Sequence, residues 1–178
     1  MTAPEDTRPQ PAGTASERDT VLGFLNFQRA TLAWKCAGLS AEQLARRASP
    51  PSTLSLLGLL RHLAEVERSW FRHLAGEHVG QPGDRVPYLY ATAEEPDLDL
   101  DGAVADPEMV SRAYADWQAE IAHADAIIAA ASFDDTLTHR TGELLSLRWI
   151  LLHMIEEYAR HNGHADLLRE ALDGARGE

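Results

Sequence analysis

The chain has 178 residues, 44% hydrophobic and 25% charged, a size and balance that suit one globular domain with its own core. Its net charge of -12 excludes the basic footprint that nucleic-acid phosphates require and disfavours an anionic membrane surface, and no run approaches the roughly 18 uninterrupted apolar residues of a membrane span. The single cysteine, Cys36, cannot form an internal disulfide, and the N-terminus lacks the basic and apolar regions of a secretory signal, so the expected compartment is the cytoplasm.

Residues 1–16, MTAPEDTRPQPAGTAS, are rich in Pro, Thr and Ala and hold almost no bulky apolar side chains, which predicts a flexible tail. From Glu17 the pattern turns helical. Val21, Leu22, Leu25, Leu32 and Leu39 recur at three- and four-residue steps, giving a first helix over about 17–37 that ends at Gly38. SAEQLARRASPPS then reads as a short turn and a Pro-Pro break. A second helix is expected to start at Ser52 or Thr53 and to stop at Gly76, with Leu56, Leu60, Leu63, Val66, Trp70 and Leu74 on its apolar stripe. Residues 77–106 hold Pro82, Pro87 and Pro96 among glycines and form an extended connection, of a length that is usually functional.

Asp106 followed by Pro107 marks the start of a third helix running to about Ala131, with Val110, Tyr114, Trp117, Ile121 and Ile128 on one face. Ser146 caps a fourth, which runs to about Leu172 and stops before Gly174. Four long amphipathic helices predict an all-α fold, an up-down-up-down four-helix bundle over residues 17–174 with the long connection between its second and third helices.

The fourth helix carries HMIEEYARHNGH. His153, Glu157 and His161 are spaced by four and His164 follows three later, so at about 100° per residue all four share a face roughly 80° wide. Neighbours four apart rise about 6 Å, so two consecutive members can grip one ion but four cannot. On a solvated helix the same spacing arises without any ion. His62, inside the apolar run LLGLLRHLAEV, should point to the bundle interior or its margin, either as a hydrogen-bonded core histidine or as a third ligand. Gly163 interrupts the same helix at a cost of about 1 kcal/mol relative to alanine, which suits a close approach by a facing helix or a ligand.

LLRHLAEVERSWF in the second helix and HMIEEYARHNGHADLLRE in the fourth, within the four-helix layout, resemble the DinB-like metal-binding bundles over roughly residues 17–173. The likeness is to an actinobacterial branch and, more distantly, to mycothiol-dependent maleylpyruvate isomerases. An arginine-rich, alanine-rich composition with Lys35 as its one lysine agrees with a GC-rich genome. Many members of the wider family use three histidines. This chain places Glu157 at the first fourth-helix position, as in the two-His-one-Glu isomerase pattern. The resemblance therefore implies His62, Glu157 and His161 as ligands of one divalent metal ion, with His153, His164 and Arg160 as outer or substrate-contacting candidates.

Two imidazoles and one carboxylate leave an open coordination position, as in catalytic zinc sites, and the set also suits nickel or iron. The resemblance implies a low-molecular-weight thiol of the mycothiol or bacillithiol type, deprotonated on the metal and attacking a small electrophilic substrate: a thiol transferase or isomerase. The competing reading is a non-catalytic, stress-associated metal-binding module that forms a homodimer through one helix pair. Glu156, Arg160 and Glu65 read first as surface charges and second as partners that orient ligands.

Other signals are weaker. Asp97, Asp99, Asp101, Gly102 and Glu108 match calcium-loop spacing, but the proline-rich VPYLYATAEEP before them gives no entering helix and Pro107 breaks the loop. Cys36 reads as a buried small hydrophobe. Trp70, Trp117 and Trp149 read as core. His73 lies about 16 Å along the helix from His62, too far to share an ion, and His78, His123 and His139 have no spacing logic.

Overall fold

Short polar side chains set most helix starts. Ser16 Oγ accepts from Asp19 N at 3.1 Å to open α1, Glu17–Cys36. Ser40 and Gln43 form a reciprocal capping box, with Gln43 N donating to Ser40 Oγ at 3.3 Å and Ser40 N donating to Gln43 Oε1 at 3.0 Å. The segment expected as a turn is thus a one-turn helix, α2, Ala41–Ala45. Helix α3 is Leu56–Leu74, and its cap is Ser55 rather than Ser52 or Thr53: Ser55 Oγ accepts from Gly58 N at 3.0 Å. Asp106 and Pro107 open α4, Pro107–Ala130, with Glu108 N donating to Asp106 Oδ1 at 2.9 Å. Ser146 opens α5, Leu147–Asp173, which ends where Gly174 adopts φ 77°, a left-handed conformation that favours glycine.

The computed structural model describes residues 6, 8–74, 89–90, 102–139 and 142–176. Most of the long connection, the expected stop at Gly76, the aspartates of the calcium-like loop and His78 lie outside the described residues, as does the side chain of His73. The connection between α4 and α5 holds two strands not anticipated from the sequence, β1 (Thr136–Thr138) and β2 (Leu144–Ser146). They pair antiparallel in the register Leu137↔Leu145. Gly142, at φ 87°, turns the chain between them. Among the described residues no helix is long and apolar enough to cross a membrane.

The four long helices pack chiefly as two pairs, α1 with α5 and α3 with α4, and the pairs meet where α3 faces α5 and α1 faces α3. Leu25, Leu32, Leu60, Leu63, Trp117, Ile128, Ile150, Met154 and Leu168 are among the buried residues between them. Polar groups also cross this core. Arg29 on α1 forks onto Glu67 on α3 at 2.7 and 2.8 Å, and the Tyr158 hydroxyl on α5 donates to Glu67 Oε1 at 2.9 Å. Trp117 Nε1 on α4 donates to the Tyr158 oxygen at 2.8 Å, so one buried chain of hydrogen bonds links all four long helices. A buried charge is tolerated when paired and hydrogen-bonded, and Glu67 meets that condition.

Within each pair, further polar ties cross the interface. Glu120 on α4 accepts from Arg68 at 2.7 Å and Arg72 at 2.8 Å, both on α3. Asn162 on α5 donates to Gln28 O at 3.0 Å, and Arg169 donates to the carbonyls of Lys35 and Ala37 at 2.8 Å. Tyr90, in the long connection, is fastened to α3 and α4 together. Its N–H donates to Glu65 Oε1 at 2.5 Å and its hydroxyl to Asp116 Oδ2 at 2.7 Å, with the Arg61 guanidinium 4.4 Å above its ring. In the N-terminal segment, Arg8 donates to Thr31 Oγ1 at 2.9 Å and lies over the rings of Phe27 and Trp34.

Candidate metal centre

His62 comes from the buried face of α3, flanked by Leu59, Leu60 and Leu63, all fully buried. Glu157 and His161 come from successive turns of α5. One ligand atom from each of the three lies within 4.8 Å of the others. His161 Nε2 is 3.4 Å from Glu157 Oε2, and the His62 and His161 rings meet edge to face with centroids 4.4 Å apart. An ion with four ligands at about 2.1 Å spaces them roughly 3.4 Å apart, which the His161–Glu157 pair already meets.

Whether these residues suit a metal turns on His62. Both its ring nitrogens are buried and have no hydrogen-bond partner among the described residues, a condition that costs about 1–3 kcal/mol for a polar group. A cation on one nitrogen would satisfy that atom. Burial, and then the neighbouring His161, push the His62 imidazole down to about 3. Burial also lowers His161, partly offset by the Glu157 carboxylate. Both rings are therefore neutral at neutral pH and carry the free lone pair a metal needs. The donor set fits a divalent ion.

The other members of the α5 stripe line up beside this cluster. His153 Nε2 lies 3.6 Å from Glu157 Oε1, and Arg160 Nη1 lies 3.9 Å from the same oxygen. Arg160 also binds Glu156 at 2.6 Å on the exposed face. His164 Nδ1 lies 3.4 Å from His161 Nδ1. Glu65, read as a surface charge, is instead fully buried and holds Tyr90.

The sequence reading missed an aromatic group. The Trp149 ring is stacked on His153 with centroids 5.1 Å apart. Trp70 meets that imidazole edge-on at 4.8 Å and stacks on His139 at 5.6 Å. Trp117 is core as expected, but Trp149 is 44% exposed and stacks on His153, whose Nε2 lies 3.6 Å from Glu157 Oε1. The signal was present: the four-residue step of His153, Glu157 and His161 extends back to Trp149. His139 joins through the hairpin, which sequence spacing cannot reveal.

A Cβ at Gly163 would have nothing within 4 Å among the described residues, so the close approach invoked for this glycine is absent there. Cys36 is buried, its thiol pushed up to about 12 by desolvation against a lowering hydrogen bond with Tyr114, which makes it a poor nucleophile.

A family model described as mycothiol-S-transferase matches residues 20–174. No curated protein matches the chain. A crystal structure of a conserved protein from Enterococcus faecalis superposes with a TM-score of 0.63 at 13% identity, covering 91% of this chain and all of that one, a likeness of fold.

Proposed function

Because the chain belongs to the mycothiol-S-transferase family, we propose that it is a cytoplasmic, metal-dependent enzyme that joins a small thiol of the mycothiol type to an electrophilic carbon. The observation that carries this reading is the convergence of His62, Glu157 and His161, with both nitrogens of the buried His62 imidazole lacking a partner among the described residues. We read the four long helices as an up-down-up-down bundle whose α3 and α5 carry the site between them.

His62 and His161 would hold the ion through neutral imidazole nitrogens and Glu157 through a carboxylate oxygen, with zinc the best match and nickel or iron also suited. Bound there, the ion supplies stabilisation of the thiolate form of a thiol at neutral pH. The chain's own groups do the rest. In this reading His153, whose ring lies 3.6 Å from Glu157 Oε1, takes the thiol proton. In the transfer the thiol S–H bond breaks, a bond forms between sulfur and the electrophilic carbon, and the leaving group, or a carbanion in an addition, carries away the electron pair. The exposed Trp149 face lies where an electrophile with an apolar body would rest. Buried leucines around His62 keep water from that side of the cluster.

The test is elemental analysis of untagged protein beside His161→Ala, followed by mass spectrometry of thiol and electrophile mixtures incubated with each. About one equivalent of metal lost in the variant, together with a thioether product formed by the native chain alone, supports the enzyme. Metal without product would leave a non-catalytic metal-binding module, and no metal after loading would overturn the reading.

A further inference from the structure

His161 presents its two ring nitrogens to different partners. Nε2 faces Glu157 Oε2 at 3.4 Å, inside the three-residue cluster, while Nδ1 faces His164 Nδ1 at 3.4 Å, at the long end of hydrogen-bond reach. The His161 and His164 rings stand at 61° with centroids 5.4 Å apart, an edge-on arrangement that directs a nitrogen of one at a nitrogen of the other. The contact follows from the helix itself, because residues three apart on α5 stack on one face.

Two imidazoles that meet nitrogen to nitrogen can share only one proton between those atoms. If His161 is to offer an unprotonated Nε2 to an ion, its own proton must sit on Nδ1. That N–H must donate to His164 Nδ1, which must in turn be the bare nitrogen of a ring protonated at Nε2. An isolated neutral histidine has no such constraint. We infer that His164 is a positioning residue that accepts from His161 Nδ1–H and so fixes the tautomer and ring orientation in which His161 Nε2 faces His62 and Glu157. The inference rests on the metal reading of the same cluster and assigns to His164 the outer-partner role that metal-ligating histidines generally require.

His164→Phe keeps a ring but removes the acceptor, whereas His164→Gln supplies a carboxamide oxygen within similar reach. With zinc as the probe and a competing chelator, His164→Phe should bind about 10–100-fold more weakly than the native chain, and His164→Gln should recover most of the difference. A purely packing role predicts the reverse order. The second measurement needs neither variant nor metal. Long-range proton–nitrogen correlation spectra of the metal-free native chain should show His161 protonated on Nδ1 and His164 on Nε2. A His161 proton on Nε2, or zinc affinity unchanged in His164→Phe, would overturn the assignment. If zinc fails to bind the native chain, the functional proposal falls, and the metal-free spectrum still decides the role of His164.

Discussion

The Tyr158 hydroxyl donates to Glu67 Oε1 at 2.9 Å, joining α5 to α3 one residue away from the candidate ligand Glu157. The same carboxylate is gripped by Arg29, and the same hydroxyl oxygen accepts from Trp117, so the bond is the middle link of a buried chain. Burial, and then the charge of Glu67, raise the Tyr158 phenol well above its ordinary value, so it remains a donor throughout the neutral range. Tyr158→Phe leaves Trp117 Nε1 without its acceptor and should cost about 1–3 kcal/mol. Arg29→Ala leaves Glu67 as an uncompensated buried charge and should cost about 3–5 kcal/mol. Urea unfolding followed by tryptophan fluorescence checks both, and equal losses in the two variants would refute this ordering.

Metal binding and metal-free stability should pull in opposite directions at His62. Replacing its two buried nitrogens, which have no partner among the described residues, with an apolar side chain in His62→Leu should stabilise the metal-free protein by about 1–3 kcal/mol. Zinc should then raise the melting temperature of the native chain and leave that of the variant unmoved. Calorimetry with and without zinc reads both effects, and a metal-free variant less stable than the native protein would count against the unsatisfied state of this imidazole.

Acid should act through the same residue. The folded His62 value of about 3 lies below the roughly 6.5 of an unfolded histidine. Between those values the unfolded chain binds the extra proton, so metal-free stability must fall as pH drops from 6.5 toward 3, with a limiting slope of about 1.4 kcal/mol per pH unit. The lowered value of His161 adds in the same direction. Denaturation midpoints measured across this window should decline in the native protein and decline less in His62→Leu. Parallel curves would mean that His62 is not the group responsible.

Gly163 is helical, exposed and free of any neighbour within 4 Å of a Cβ among the described residues. Gly163→Ala should therefore stabilise α5 by about 0.5–1 kcal/mol, or about 2–4 °C in melting temperature at the upper end. A loss of stability on calorimetry would show that something does approach this backbone.

Much of the helical layout was legible, because amphipathic periodicity and caps are local properties. Asp106–Pro107 and Ser146 are read from a few residues. Within STLS, three hydroxyl side chains compete for one cap, and the geometry that selects Ser55 depends on how the chain enters α3. The strands of the hairpin are three residues long, too short for any alternation to register. The α5 stripe was visible as spacing, but His62 lies on another helix, where its apolar run left a core role and a ligand role both open and only the resemblance favoured the ligand. The buried carboxylates of Glu65 and Glu67 were invisible for the same reason: their partners, Tyr90 and Arg29, are 25 and 38 residues away. A charge reads as solvated until the fold supplies its partner.

The pairing of α1 with α5 and α3 with α4 nests a contiguous hairpin of helices inside a pair built from opposite ends of the chain. His62 belongs to the inner pair, whereas Glu157 and His161 belong to α5, which is synthesised after the other described helices. A nascent chain that has not yet exposed α5 owns a single member of the cluster, which is too few to retain an ion. Capture of an ion by the proposed three-residue site must therefore follow the synthesis of α5, and a chain truncated before α5 keeps one of the three proposed ligands.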